Sequence, residues 1–491
     1  MVRSSIMRFS TRTLLLCLGS ASFTLARCVG DSPVVVPDSG PDVTTDSPAP
    51  NDSGGNDVVT TNDAQPTDAA DAEVDAGPQG VIDTTFANGT KTGLAMNFAF
   101  AVAVDSQSRV YIAGNQQNCV SGSSGWDDAI FRFDSSGNLD ATYGNAGTRC
   151  IDFDTNDGDG PNAIALDSTD NLFVAGSSWV SGTYNASVAK LNPSGTVLWR
   201  YRYNGSGSDA GASPIFEAHG IAFDGARVYA VGTNGLYQGT RTASFVLGLQ
   251  SSTGALDPNF NGGIATDSTA YAYYGATTSG GKLLAVGGTP GANRKMLTRR
   301  FTTNGFPDPT FGTANAEIAT QTSTSGYDSG YSVAVQSDGK VLVAGPSASK
   351  ATGSSYSQLV VARYDANGGA LDATFASGSG KPGVYFSALE FLDGDSAGYQ
   401  MTGMILEPSG KIVLGGHFST VADGGAPRDF ALVRLNTDGT LDTTFGQNGI
   451  ARANFATASF VNGIARDPAT GNIVLLGHDN FGDPVLFRFT P

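Results

Sequence analysis

Three histidines, four cysteines and two short acidic runs hold most of the reactive chemistry in this chain. His417 and His478 each directly follow a glycine that ends an apolar run, and His219 precedes another such run. Imidazoles brought to one place would form part of a metal or acid–base site; as exposed loop residues they do neither. Asp152, Asp154, Asn156, Asp157 and Asp159 make an oxygen-rich loop of the kind that suits Ca2+, which takes about six to eight oxygen ligands. The EF-hand order is not met, because Asp157 stands where glycine belongs and no Glu follows at the end of the loop. A solvated Asx turn is the plain alternative. Residues 394–398, GDSAG, match G-x-S-x-G, yet a nucleophile elbow needs a strand, a sharp turn and a following helix. No helical pattern surrounds them, so no catalytic residue is assigned.

Two further groups sit in loops. Trp126 and Trp179, with Tyr184, Tyr237 and Tyr356, either stack on a sugar or peptide or fold inward as cover. Among the cysteines, Cys17 lies in an apolar leader and Cys28 follows Leu25-Ala26-Arg27. That leaves Cys119 and Cys150 as one disulfide or as two buried thiols.

The elements that must position these groups are read from an internal repeat. AVAVDSQSRVYIAG (101–114), AIALDSTDNLFVAG (163–176) and SVAVQSDGKVLVAG (332–345) share one plan: apolar strand, polar turn, apolar strand, glycine. Seven copies end in Gly114, Gly176, Gly232, Gly287, Gly345, Gly416 and Gly477, between 55 and 71 residues apart. A third apolar run follows in each unit, and a phrase such as Leu441-Asp442-Thr443-Thr444-Phe445 completes most of them. Period-2 alternation with Gly and Asn turns specifies strands. Four short strands per unit specify an all-β propeller, and seven units predict seven blades.

The last unit stops at Pro491 without that phrase, while Ile82-Asp83-Thr84-Thr85-Phe86 carries it with no strands before it. A ring closed by the N-terminal strand, completing blade seven, uses both ends and hides the edge. A basic residue one before the end of the third strand recurs (Arg132, Lys190, Arg300, Arg363, Arg434, Arg488), and Asp140, Asp308, Asp372 and Asp442 lie eight or nine residues after four of them, whereas Lys190 has no such Asp. Across a hairpin that offset opposes the two charges. Arg488 lacks an Asp downstream and Asp83 lacks a base upstream, so these two are expected to pair and pin the ring.

These residues resemble the delta-60 repeat of bacterial surface and secreted proteins, whose pattern runs AVAVQPDGKIVVAG, then FALARYNADGSLDTTFGTGG. Residues 430–449, FALVRLNTDGTLDTTFGQNG, are similar nearly throughout, and the likeness extends over about 81–491. The resemblance implies a propeller and a surface location. It carries no common activity.

The ends complete the organisation. Arg3, Arg8 and Arg12 precede a short apolar run, so residues 1–28 read as an export signal too short to span a bilayer. Its end resembles a bacterial lipobox with Cys28 as the acylated residue, although Arg27 departs from the small residue usual there; ordinary cleavage after Ala26 is the alternative. Residues 29–80 hold ten Asp and one Glu with no Lys, Arg or aromatic, a composition expected to stay disordered as a stalk. Of the net charge of −17, this stalk carries −11 and residues 81–491 carry −10, the leader being positive. Neither segment offers the basic surface that nucleic acid requires. The expectation is an exported, lipid-tethered monomer that recognises an envelope glycan or protein through one propeller face. Trp126, Trp179, His417 and His478 are its candidate ligand residues, and Ca2+ is the one cofactor considered. A structural or adhesive role, or a propeller lyase or hydrolase, are the alternatives.

Overall fold

The computed structural model describes residues 79–491 apart from 95, 121–124, 154–157, 181–182, 206–213, 237–240, 271, 292, 313–315, 324–327, 348–355, 393–402, 420–427, 455–459 and 480–481. Regular structure is β-strand with two 3-10 turns, Ala87–Gly89 and Asn261–Gly263, and no α-helix occurs among the described residues. Within each repeat all pairing is antiparallel, as the short connecting turns dictate.

The expectation of seven blades is corrected. Backbone hydrogen bonds join the strands into five sheets, so the propeller has five blades counted as continuous sheets. Repeats one, four and seven form four-stranded sheets, whereas repeats two and three share one eight-stranded sheet and repeats five and six share another. Each fusion rests on a single pairing, Tyr184 with Ile215 and Glu390 with His417. Strand length explains it. Thr183–Leu191, Pro214–Phe223 and Val384–Leu392 run nine or ten residues, which carries their ends to the neighbouring repeat. The outer strands Thr148–Ile151 and Glu317–Thr320 have four residues and stop short.

Thr90–Lys91 pairs with Pro484–Phe489, so the first strand of the ring lies against the last. Ile82 bridges Phe489, and the Asp83 N–H donates to the Arg488 carbonyl at 2.7 Å. Arg488 Nε also lies 2.7 Å from Asp83 Oδ2.

A belt of such pairs runs round the outer hairpins. Arg132–Asp140, Arg300–Asp308, Arg363–Asp372 and Arg434–Asp442 repeat the geometry at 2.7–2.9 Å. Each guanidinium lies 4.5–4.7 Å from the centre of an aromatic ring, on Phe86, Tyr143, Phe311, Phe375 or Phe445, all fully buried. The threonine two residues after each Asp donates to that carboxylate through its N–H and hydroxyl. The LDxTF phrase is thus one packing unit: Asp for the charge, Thr for the carboxylate, the ring beneath the guanidinium.

The same cations reach onward. Arg132 donates to the carbonyl of Pro193, Lys190 to Ser251, Arg300 to Ala366, Arg363 to Thr437, and Arg488 to Ser135. Every one of these carbonyls belongs to the following repeat, and Ser135 belongs to the first. Repeat three lacks the base in its third strand, where Gly248 stands. Arg227, from the strand before, supplies it, pairing with Asp257 and donating to Thr303. Lys190 has its carboxylate upstream, Asp167 at 3.5 Å.

Candidate functional site

The site is built by one local irregularity repeated around the axis. In five innermost strands an extra residue interrupts the register: Phe100, Asn162, His219, Tyr274 and Asn462. Such a β-bulge bends the strand and re-aims the inserted side chain. Tyr331 occupies the same place in repeat five, immediately before the paired Ser332, with its N–H on the Ala344 carbonyl at 2.8 Å.

The closing glycines of the sequence repeat make this irregularity possible. A Cβ added to Gly114, Gly176, Gly232, Gly287 or Gly345 would come within 1.7–2.2 Å of a carbonyl oxygen on the bulged strand. Real Cβ atoms do not approach so closely, so only glycine lets the two backbones meet here.

Five of the six re-aimed residues, Phe100, His219, Tyr274, Tyr331 and Asn462, line a cavity of about 180 Å³ at the centre of the ring. Its remaining lining is small or aliphatic, including Ala101, Ala163, Gly220, Gly275, Ser332 and Gly463, and contains no Asp, Glu, Lys or Arg. The small residues let inner strands converge: a Cβ on Gly275 would lie 2.2 Å from the Tyr331 carbonyl.

Aromatic groups gather on one side. Tyr274 and Tyr331 stack with centroids 4.4 Å apart and planes 7° from parallel, and the His219 ring lies 5.5 Å from Tyr274. His219 Nε2 sits 2.9 Å from Thr233 Oγ1 and 3.9 Å from a Glu217 carboxylate oxygen. Across the channel, Asn462 donates to the Ala99 carbonyl at 2.6 Å, joining repeat seven to repeat one. Asn162 does the same to Ala218 at 2.8 Å, joining repeat two to repeat three. The arrangement offers π-faces, an amide and a hydroxyl to an uncharged guest.

The residues singled out from the sequence fall elsewhere. Trp126 lies against Phe98 with centroids 6.3 Å apart, and Trp179 against Tyr184 at 4.5 Å; neither lines the cavity. His478 stands one layer back, its Nδ1 3.2 Å from Asn462 Oδ1, and burial pushes its pKa down. The backbone of His417 pairs with Glu390, and its side chain lies outside the described residues, as do Asp154, Asn156, Asp157, Cys28 and the GDSAG segment. Cys119 and Cys150 are joined by a disulfide, with Cα atoms 5.8 Å apart. The sequence signal for the bulge residues was available: each immediately precedes the Ala, Gly or Ser that opens the sequence repeat.

Asp152 and Asp159 belong to a second cluster, with Asp127 and Asp128 of the strand Trp126–Phe133. One carboxylate oxygen from each of Asp127, Asp152 and Asp159 falls within 4.8 Å of the others. Asp127, Asp128 and Asp159 are almost fully buried. Burial, then repulsion from Asp159 and Asp127, raises Asp128 well above the usual carboxylate range. Asp159 is pushed up to about 8, by burial first and then by Asp152 and Asp127, against the Phe153 N–H and the charge of Arg202.

The chain is similar to known propellers. A family model described as "Domain of unknown function (DUF5122) beta-propeller" matches residues 336–375 and 407–445, which identifies propeller-repeat sequence in repeats five and six. No curated protein matches it in sequence. Among solved structures, a protein of unknown function from Bacteroides caccae is 12% identical, covering 66% of this chain and 94% of its own, with a TM-score of 0.33. The β-propeller domain of the Trilobed protease from Pyrococcus furiosus, reported to have an open velcro topology, is 10% identical. It covers 80% of this chain and 95% of its own, with a TM-score of 0.38.

Proposed function

We propose that this propeller is a binding module that seats one uncharged ring, a sugar unit of an envelope glycan, in the mouth of its channel. The carrying observation is the repeated bulge, which aims Phe100, His219, Tyr274, Tyr331 and Asn462 into a common cavity. Ring faces stack on the C–H faces of sugars, and amide and hydroxyl groups fix orientation. At about 180 Å³ the cavity is below the range of about 300–1,000 Å³ that drug-sized ligands occupy, so it suits a single ring. A lining without Asp, Glu, Lys or Arg favours a neutral guest.

The leader 1–28, acylation at Cys28 and the acidic segment 29–80 complete the proposal as export, anchor and tether. Mass spectrometry of the native N-terminus tests this part. The binding reading is tested on a glycan array with the unaltered protein beside Phe100→Ala and Tyr331→Ala variants. Loss of a specific signal in both variants, with circular dichroism unchanged, supports the reading. Equal signals from all three proteins, or no signal from the unaltered one, overturn it.

A further inference from the structure

We propose that Asp127, Asp152 and Asp159 hold a Ca2+ ion at the junction between the first and second repeats. This goes beyond the channel-mouth reading and does not depend on it. Asp127 stands near the start of the third strand of repeat one. Asp152 follows the outer strand Thr148–Ile151, and Asp159 opens the inner strand Asp159–Leu166 of the next repeat. The topology therefore brings three carboxylates from three strand ends to one place, within 4.8 Å.

The hydrogen bonds leave a set of oxygens over. The Val120 N–H donates to Asp127 Oδ2 at 2.9 Å, and the Phe153 N–H donates to Asp159 Oδ2 at 2.9 Å. Oδ1 of each is buried and accepts no hydrogen bond. Asp127 is 0% exposed and Asp159 3% exposed, so solvent does not serve these oxygens either. Buried carboxylate oxygens without a donor are costly and call for a counter-charge.

The local charge count points to a divalent ion. Arg200 and Arg202 reach the cluster by donating to the carbonyls of Asp152 and Phe153. When all four carboxylates, counting Asp128, are ionised, they outnumber the two guanidiniums and leave a net charge of −2. At two equivalent junctions a basic side chain lies at or beside this position. By strand register Lys295 takes the place of Asp127 in repeat four, and Asp429 takes it in repeat six. Burial raises the Asp429 carboxyl, and the charge of Arg452 in the neighbouring strand opposes that rise.

An all-oxygen donor set selects a hard cation. Mg2+ keeps much of its hydration shell, and side chains as buried as Asp127 and Asp159 leave little room for it; Ca2+ accepts six to eight oxygens with loose geometry. The site is also pre-assembled. The Cys119–Cys150 disulfide ties the loop that presents the Val120 N–H to the strand that leads to Asp152.

The test uses the full chain after chelator treatment, titrated with CaCl2 and separately with MgCl2 by calorimetry. Asp127→Asn and Asp159→Asn variants run beside it. One Ca2+ per chain is expected in the unaltered protein, with Mg2+ weaker. Each variant is expected to bind more than about tenfold more weakly, since loss of an outer-shell partner alone costs that much. A fold readout keeps the result decisive: in chelator both variants should melt at or above the unaltered protein, because each removes buried repulsion. Ca2+ should raise the melting temperature of the unaltered chain alone. Failure of the unaltered chain to bind at millimolar Ca2+, undiminished binding in the variants (which would place the ion on other acidic residues), or preference for Mg2+ would each overturn the proposal.

Discussion

The outer hairpins and the first inter-repeat junction place the same side chain, aspartate, in opposite electrostatic company. In the hairpins, Asp83, Asp140, Asp308, Asp372 and Asp442 each meet a guanidinium and two donors from a threonine. Burial works to raise these carboxyls, but the threonine and cation hydrogen bonds outweigh it and hold all five below the usual range. At the junction, Asp128 and Asp159 are buried beside other carboxylates and rise. The difference teaches that a repeated Asp here is part of the scaffold, solved once with its Arg, Thr and ring. An Asp outside that phrase must find its partner separately, as Asp267 does in Arg299, and Asp127 and Asp159 keep buried oxygens without a hydrogen bond.

Acid should expose the first half of this comparison most strongly. A carboxyl depressed in the folded state contributes stability that is present above its unfolded pKa, about 4. That contribution is lost as pH falls through the folded value. Five such groups act together, so the urea midpoint should fall steeply between about pH 4 and pH 2. A flat midpoint over that window would mean the belt pairs are not formed.

Reduction of the disulfide is expected to come next. Opening a link across 31 residues costs about 3–4 kcal/mol in the chain-entropy model. A Cys119→Ser/Cys150→Ser protein should show that loss in urea, and should also bind Ca2+ more weakly. Loss of stability without any change in Ca2+ affinity would separate the bridge from the junction.

Arg488→Met strips one belt pair and leaves Asp83 facing Phe86 and Thr85. Breaking a buried pair by removing one partner costs about 3 kcal/mol, and the loss should be smaller in Asp83→Asn/Arg488→Met relative to Asp83→Asn, the remainder being the contacts of Arg488 with Ser135, Thr85 and Phe86. Additive costs in that double-mutant cycle would deny the pairing.

The smallest effects make the sharpest contrast. Asp308→Asn should destabilise by about 1–2 kcal/mol, since it weakens hydrogen bonds to Arg300 and Lys282. Asp128→Asn in chelator should be neutral or stabilising, since both of its buried oxygens accept no hydrogen bond. Equal losses at the two sites would collapse the comparison.

Much of the fold was legible because repetition amplifies a local code. Strand alternation, the closing glycines and the Arg-to-Asp offset recur often enough to reveal register. The blade count was not legible, because each sheet fusion rests on one backbone pairing between long strands. Nor was the substitution of Arg227 for the base missing at Gly248, which depends on strands lying side by side. The cavity residues were passed over in favour of Trp126, Trp179, His417 and His478. Tryptophans and histidines are conspicuous in a sequence, although all four of these lie in strands rather than loops, while a bulge appears only once two strands are paired.

By itself the sequence determined an all-β repeat protein, its hairpin chemistry and the glycines on which the inner strands turn. Those follow from interactions a few residues apart, where spacing along the chain equals spacing in space. Tertiary structure alone decided which repeats merge into one sheet, which side chains meet at the axis, and that Asp127 joins Asp152 and Asp159. Each of these depends on packing between separate strands and repeats, and a linear pattern carries no distance across that gap.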